Sequence, residues 1–143
     1  MHRELTAFAL IVAFAGAALA HSGVQNPKVK AWMANMELIA EQTKLIGGMA
    51  KGATAFDADA AEAALALIAA RAEEIPALFA EEADDPKSES LPLIWTQWDD
   101  FEREAASLIK TAAKSKVETL DDLRVALRDV GATCKSCHGT YRE

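Results

Sequence analysis

A chain of 143 residues has room for one domain around one core, and a formal net charge of −7 gives it no hold on a phosphate backbone, which excludes nucleic acid as a partner. Seven glycines and four prolines stand against abundant Ala, Leu, Glu and Lys, which excludes a β-rich architecture and predicts an all-α fold. The acidic balance favours a partner with a basic docking patch, or serves solubility alone.

Residues 7–20 are wholly apolar, Arg3 lies just upstream, and Ala18-Leu19-Ala20 is a small-residue cleavage pattern. A run this short is a poor bilayer span and a good core for an export signal. Residues 1–20 are therefore predicted to be a signal peptide and residues 21–143 a soluble, exported domain in the periplasm. Arg3 and Glu4 leave together, so cleavage does not change the net charge. No later segment is long and apolar enough to span a membrane.

The first helix is predicted to open at Asn26-Pro27, with asparagine as N-cap and proline in the first helical position. Its seam runs Val29, Trp32, Met36, Ile39, Thr43, Ile46, Ala50, widened by Leu38, Leu45 and Met49, with Gly52 as the stop. At about 25 residues it would be roughly 37 Å long. The second helix, capped by Asp57 or Asp59, repeats Ala61, Leu65, Ile68, Ala72, Ile75 until Pro76 kinks or ends it, and Leu78 and Phe79 close over the core. Residues 81–90 are almost entirely polar and are expected to form a solvated crossover loop.

The third helix begins near Ser90 to Pro92 and carries Ile94, Trp98, Phe101, Ala105, Leu108 and Ala112 on one stripe. The fourth begins with a capping-box-like Thr119-Leu120-Asp121-Asp122 and continues as Leu120, Leu123, Leu127, Val130, Cys134, Cys137, Tyr141. Four amphipathic helices with short or crossover links make an antiparallel four-helix bundle the economical architecture. Trp32, Trp95 and Trp98 are read as core.

The fourth helix ends in Cys134-Lys135-Ser136-Cys137-His138, the C-x-x-C-H pattern of covalent haem c attachment. The two thiols add to the haem vinyl groups as thioethers, and the imidazole supplies an axial ligand to the iron. These are the only two cysteines of the chain. A structural zinc site would need a second pair, and a thioredoxin-like pair would need a βαβ setting that the sequence lacks. With Cys134 at zero on the helix circumference, Cys137 falls about 60° to one side and His138 about 40° to the other. Gly131 lies about 60° round on the side of His138, where a helical glycine suggests close approach of the haem edge to the backbone. Arg142 follows His138 by four residues, on the same face. It could neighbour the imidazole or a propionate, or simply complement the helix dipole.

The segment Val130-Gly131-Ala132-Thr133-Cys134-Lys135-Ser136-Cys137-His138-Gly139-Thr140-Tyr141-Arg142 resembles the C-terminal haem motif of class II cytochromes c, the cytochrome c′ and cytochrome c556 family. Ala50-Lys51-Gly52 followed by Phe56-Asp57, and Pro92-Leu93-Ile94-Trp95, are similar landmarks. Cytochrome c′ is itself a standard example of the four-helix bundle, so the resemblance gives that architecture no independent support. It implies a periplasmic protein with one haem c, exchanging single electrons with other redox proteins and not acting as an enzyme. Cys134 and Cys137 would be its covalent anchors, His138 the proximal ligand and Arg142 the family's basic residue beside that ligand. Homodimers through the first two helices are common in the family.

Counted back from Lys51-Gly52, the resemblance places Met36 on the distal side of the haem. In c556-like members a methionine there ligates the iron, giving a six-coordinate, low-spin centre. In c′ members the region holds an apolar residue, the iron stays five-coordinate, and nitric oxide or carbon monoxide can bind. Met36 is taken as the distal ligand, with Met33 off the seam and Met49 deeper in the bundle. A five-coordinate gas binder is the alternative, and a haem-free thiol oxidoreductase using Cys134 and Cys137 is the alternative of another class. One departure from the family is Trp32, which stands where many members carry an arginine.

Overall fold

The computed structural model describes residues 23–143, and the predicted signal segment, residues 1–20, lies outside the described residues. The chain builds α1 (Pro27–Ala50), α2 (Ala58–Glu73), α3 (Ile75–Phe79), α4 (Leu93–Thr96), α5 (Trp98–Lys114) and α6 (Leu120–Tyr141). The four long helices close a ring in which α1 packs on α2, α2 on α5, α5 on α6 and α6 back on α1. This is the antiparallel four-helix bundle expected from the pattern.

Local signals set most helix ends. The Asn26 side chain accepts from the Lys28 N–H at 2.9 Å, Pro27 opens α1, and Gly52 follows the last turn with φ 74°, where any other residue would be strained. Asp57, rather than Asp59, caps α2 through the Ala60 N–H at 2.9 Å. Thr119 and Asp122 form a reciprocal capping box at the start of α6. Pro76 does not kink a continuing helix: α2 ends at Glu73 and the short α3 starts afresh at Ile75.

The third predicted helix is divided at Gln97, whose φ of −123° and ψ of 43° separate α4 from α5. Local backbone bonds continue on both sides of Gln97, and two tertiary side-chain bonds flank the break. The Trp95 indole donates to the Phe79 carbonyl at 2.8 Å, and the Tyr141 hydroxyl donates to the Gln97 side-chain oxygen at 3.4 Å. Around them lies an aromatic cluster. Trp32 stacks on Phe79 with ring centroids 4.4 Å apart, Phe79 tilts against Phe101 at 5.2 Å, and Phe101 meets Tyr141 edge-on at 5.4 Å. The cluster joins α1, α3, α5 and α6, and Trp95 adds α4.

The core of α1 is turned slightly from the predicted seam. Val29, Trp32, Ile39 and Ile46 are buried as expected, together with Asn35 and Met49. Met36 and Thr43 are only half buried, while Leu38 and Leu45, expected to widen the apolar face, stand 38% and 40% exposed. The expectation of a solvated crossover loop holds for most of residues 81–90 and fails at one of them. Asp85 is only 4% exposed, and its carboxylate accepts the backbone N–H groups of Gln25 at 2.7 Å, Asn26 at 2.9 Å and Lys87 at 2.9 Å. Its charge satisfies donors at the entry to α1, a use that its polar neighbours in sequence do not announce.

Those N–H groups, first among them that of Asn26, hold the Asp85 carboxyl below the usual carboxylate value. A depressed folded value contributes stability that is present above the unfolded value of about 3.9 and is lost as pH falls through the folded value. Asp85→Asn is expected to lower the denaturation midpoint at pH 7 and to flatten the acid limb below about pH 4, in urea titrations run across that range. Gly131 generates a second prediction. A Cβ built there meets no protein atom within 4 Å, so in the haem-free chain Gly131→Ala should stabilise α6 by up to about 1 kcal/mol through helix propensity, read as a higher midpoint.

Candidate haem site

The last third of α6 carries the chemistry. Thr133, Cys134, Cys137, His138 and Tyr141 all turn toward one cavity of about 970 Å³, at the top of the usual range for cofactor sites of about 300–1,000 Å³. The helix holds its form to Tyr141 because that residue is buried against Phe101, and because the Arg142 N–H closes on the His138 carbonyl at 3.2 Å. Ser136 donates to Glu104 of α5 at 3.0 Å, tying the segment between the cysteines to the neighbouring helix.

The α1 wall of the cavity includes Trp32, Met33, Met36, Ala40, Thr43 and Gly47. From Met36 these recur in steps of four, three and four, a second stripe beside the core seam. The α5 wall supplies Phe101, Ala105 and Leu108, the crossover segment supplies Lys87, Glu89 and Ser90, and α4 supplies Ile94. Gly47 faces open space, since a Cβ there would meet nothing within 4 Å, and an interior helical glycine otherwise costs about 1 kcal/mol. Lys44, Lys51, Lys87 and Arg142 also border the cavity.

This donor set fits haem c. Two thiols and an imidazole share one wall, the remaining walls are mainly apolar, and cations border the space where two propionates need counter-charges. Burial lowers the His138 value, Arg142 lowers it further and Glu89 opposes them, a net shift toward the neutral imidazole that a metal requires. Burial raises both thiols. Cys137 is pushed up to about 11, with Glu104 and Cys134 adding to the effect. Redox-active cysteine pairs need the opposite shift, and they gain it at helix N-termini rather than at the C-terminal end where these two stand.

Of the residues singled out in the sequence, Met36, Cys134, Cys137, His138 and Arg142 border the same cavity. Gly131 does not line it, and no protein atom crowds its face. Met33, placed off the seam, proves to line the cavity beside Met36, while Met49 is buried away from it. Sequence reasoning missed Lys44, Gly47 and Lys51, which the stripe through Met36 could have revealed. It also missed Lys87, Glu89 and Glu104, for which no local signal exists.

The family model for cytochrome c′ matches residues 28–142. A cytochrome c-554 from Cereibacter sphaeroides is 41% identical over 117 residues, covering 76% of this chain and 75% of that one. The structure of oxidized R. palustris cytochrome c556 is similar with a TM-score of 0.75 at 29% identity, over 83% of this chain and 98% of that one. A nitric oxide complex of a mutant cytochrome c prime from Alcaligenes xylosoxidans is similar with a TM-score of 0.69 at 26% identity, over 81% and 94%. With the match running from the first turn of α1 to the residue after α6, the chain belongs to the cytochrome c′ family, the class II cytochromes c.

Proposed function

We propose that this is a periplasmic electron carrier with one haem c, held by thioethers at Cys134 and Cys137, with His138 as proximal and Met36 as distal ligand. One observation carries this reading: Met36 on α1 and the cysteine-histidine set on α6 line the same cavity. When bound, the haem would supply a one-electron ferric/ferrous couple. Everything else is the work of side chains. The neutral His138 offers a lone pair, the Met36 thioether favours the reduced iron, and Trp32, Phe79 and Phe101 keep water from the walls. Lys44, Lys51 and Lys87 oppose the propionate charge.

The compartment follows from the chemistry proposed. Attachment of haem c takes place outside the cytoplasm, which the signal segment at residues 1–20 would permit, leaving residues 21–143 as the working domain. No helix among the described residues is long and apolar enough to cross a membrane. Other periplasmic redox proteins are the proposed partners of an acidic carrier that is not itself an enzyme. A homodimer through α1 and α2 would bury Leu38 and Leu45, both exposed on α1.

Two other readings are weighed by the same cavity. The haem-free thiol oxidoreductase is disfavoured by the raised Cys137 value and by the position of both thiols at a helix C-terminus. The five-coordinate gas binder is favoured by the nitric oxide complex of the related cytochrome c prime from Alcaligenes xylosoxidans. Optical spectra and carbon monoxide titration decide between ligation and an open site. Met36→Leu should convert a low-spin protein that resists carbon monoxide into a high-spin one that binds it when reduced, with a lowered reduction potential. If the reduced wild type binds carbon monoxide as readily as that variant, Met36 is not a ligand and the gas-binding reading replaces the carrier.

A further inference from the structure

The crossover segment before α4 is joined to the far end of α6 by a short ladder. Leu91 N–H donates to the Tyr141 carbonyl at 2.9 Å, Glu143 N–H donates to the Glu89 carbonyl at 2.9 Å, and Ser90 pairs with Arg142 in an isolated antiparallel bridge. On this ladder the Arg142 guanidinium donates from Nε to one oxygen of the Glu89 carboxylate, and its Nη2 forms an ion pair with the same oxygen. Glu89, Arg142 and His138 border the cavity together. Arg142 follows His138 by four residues, about one helical turn, so the ion pair borders the cavity on the imidazole's side. The pair is half exposed, so its contribution to folding is small and its position is the more consequential property.

We propose that Glu89 is a positioning residue, which anchors Arg142 on the proximal side and cancels its charge there. His138, and an iron bound to it, would then stand beside a tethered ion pair instead of a free cation. This rests on the haem attachment and His138 ligation proposed above. Ferric iron carries one more positive charge than ferrous, so an uncompensated cation nearby disfavours oxidation and an uncompensated carboxylate favours it.

The test uses the haem-loaded, full-length exported protein, with intact mass confirming one covalent haem in each variant. Glu89→Gln should raise the reduction potential, Arg142→Gln should lower it, and the double variant should return close to wild type. Glu89→Asp should stay near wild type. Hydrogen exchange at the Leu91 and Glu143 amides should quicken in Glu89→Gln and recover in Glu89→Asp, which reads the anchoring directly. A purely structural loosening would move both single variants in one direction and the double variant further, and that result would overturn the proposal. An unchanged potential in Glu89→Gln would overturn it too, and should that variant fail to load haem, an unchanged or raised potential in Arg142→Gln would do so. A wild type without covalent haem would refute the attachment reading, and the positioning claim with it.

Discussion

Both thiols and the imidazole of the candidate site come from one stretch of α6, which spans little more than a single turn, and every other element is arranged around that constraint. Three groups on one helix can meet one flat macrocycle only if the helix stays regular to its end, and Gly139 lies within its last turn. Regularity is imposed from outside. Tyr141 is buried against Phe101, Ser136 is tied to Glu104, and the residues after the helix pair with the crossover segment. The anchoring of α6 is therefore tertiary, although the motif it presents is local.

The space opposite depends on residues that are small or withdrawn. Ala40, Thr43 and Gly47 leave room along α1, whereas the large aromatic rings gather toward the end of the bundle where α3 and α4 meet α1. That division of bulk keeps the walls stiff while leaving the cavity open. The stacked pair Trp32 and Phe79 closes one end and also fixes the turn of α1 that precedes Met36. At its own end the crossover segment grips both helices of the site. Asp85 holds the backbone entering α1, and Glu89, Ser90 and Leu91 hold the backbone leaving α6.

What could be read from the sequence was what short-range physics determines. Asn26-Pro27, Asp57 and the Thr119–Asp122 box announced helix starts because a cap bonds within three residues of itself. The C-x-x-C-H motif announced its chemistry because thiols and imidazole lie within one pentapeptide. Asp85 could not be read this way, since its main-chain partners at Gln25 and Asn26 are 60 and 59 residues away. Glu89 meets Arg142 across 53 residues, and a run of acidic residues looks the same whether solvated or engaged. The break at Gln97 was hidden because the apolar stripe of α4 and α5 is continuous in sequence, whereas the Trp95 and Tyr141 side-chain bonds beside the break reach 16 and 44 residues along the chain. On α1 the seam was found, but the pattern alone did not separate the face against the core from the face on the cavity.

The central claim is that two helices grip one haem from its two sides, His138 from α6 and Met36 from α1. Electron paramagnetic resonance of the purified ferric protein tests it most directly. The account predicts a low-spin ferric signal, because an imidazole and a thioether together would make the iron six-coordinate. An axial high-spin ferric signal at neutral pH would contradict it, leaving α6 as the only helix bound to the iron.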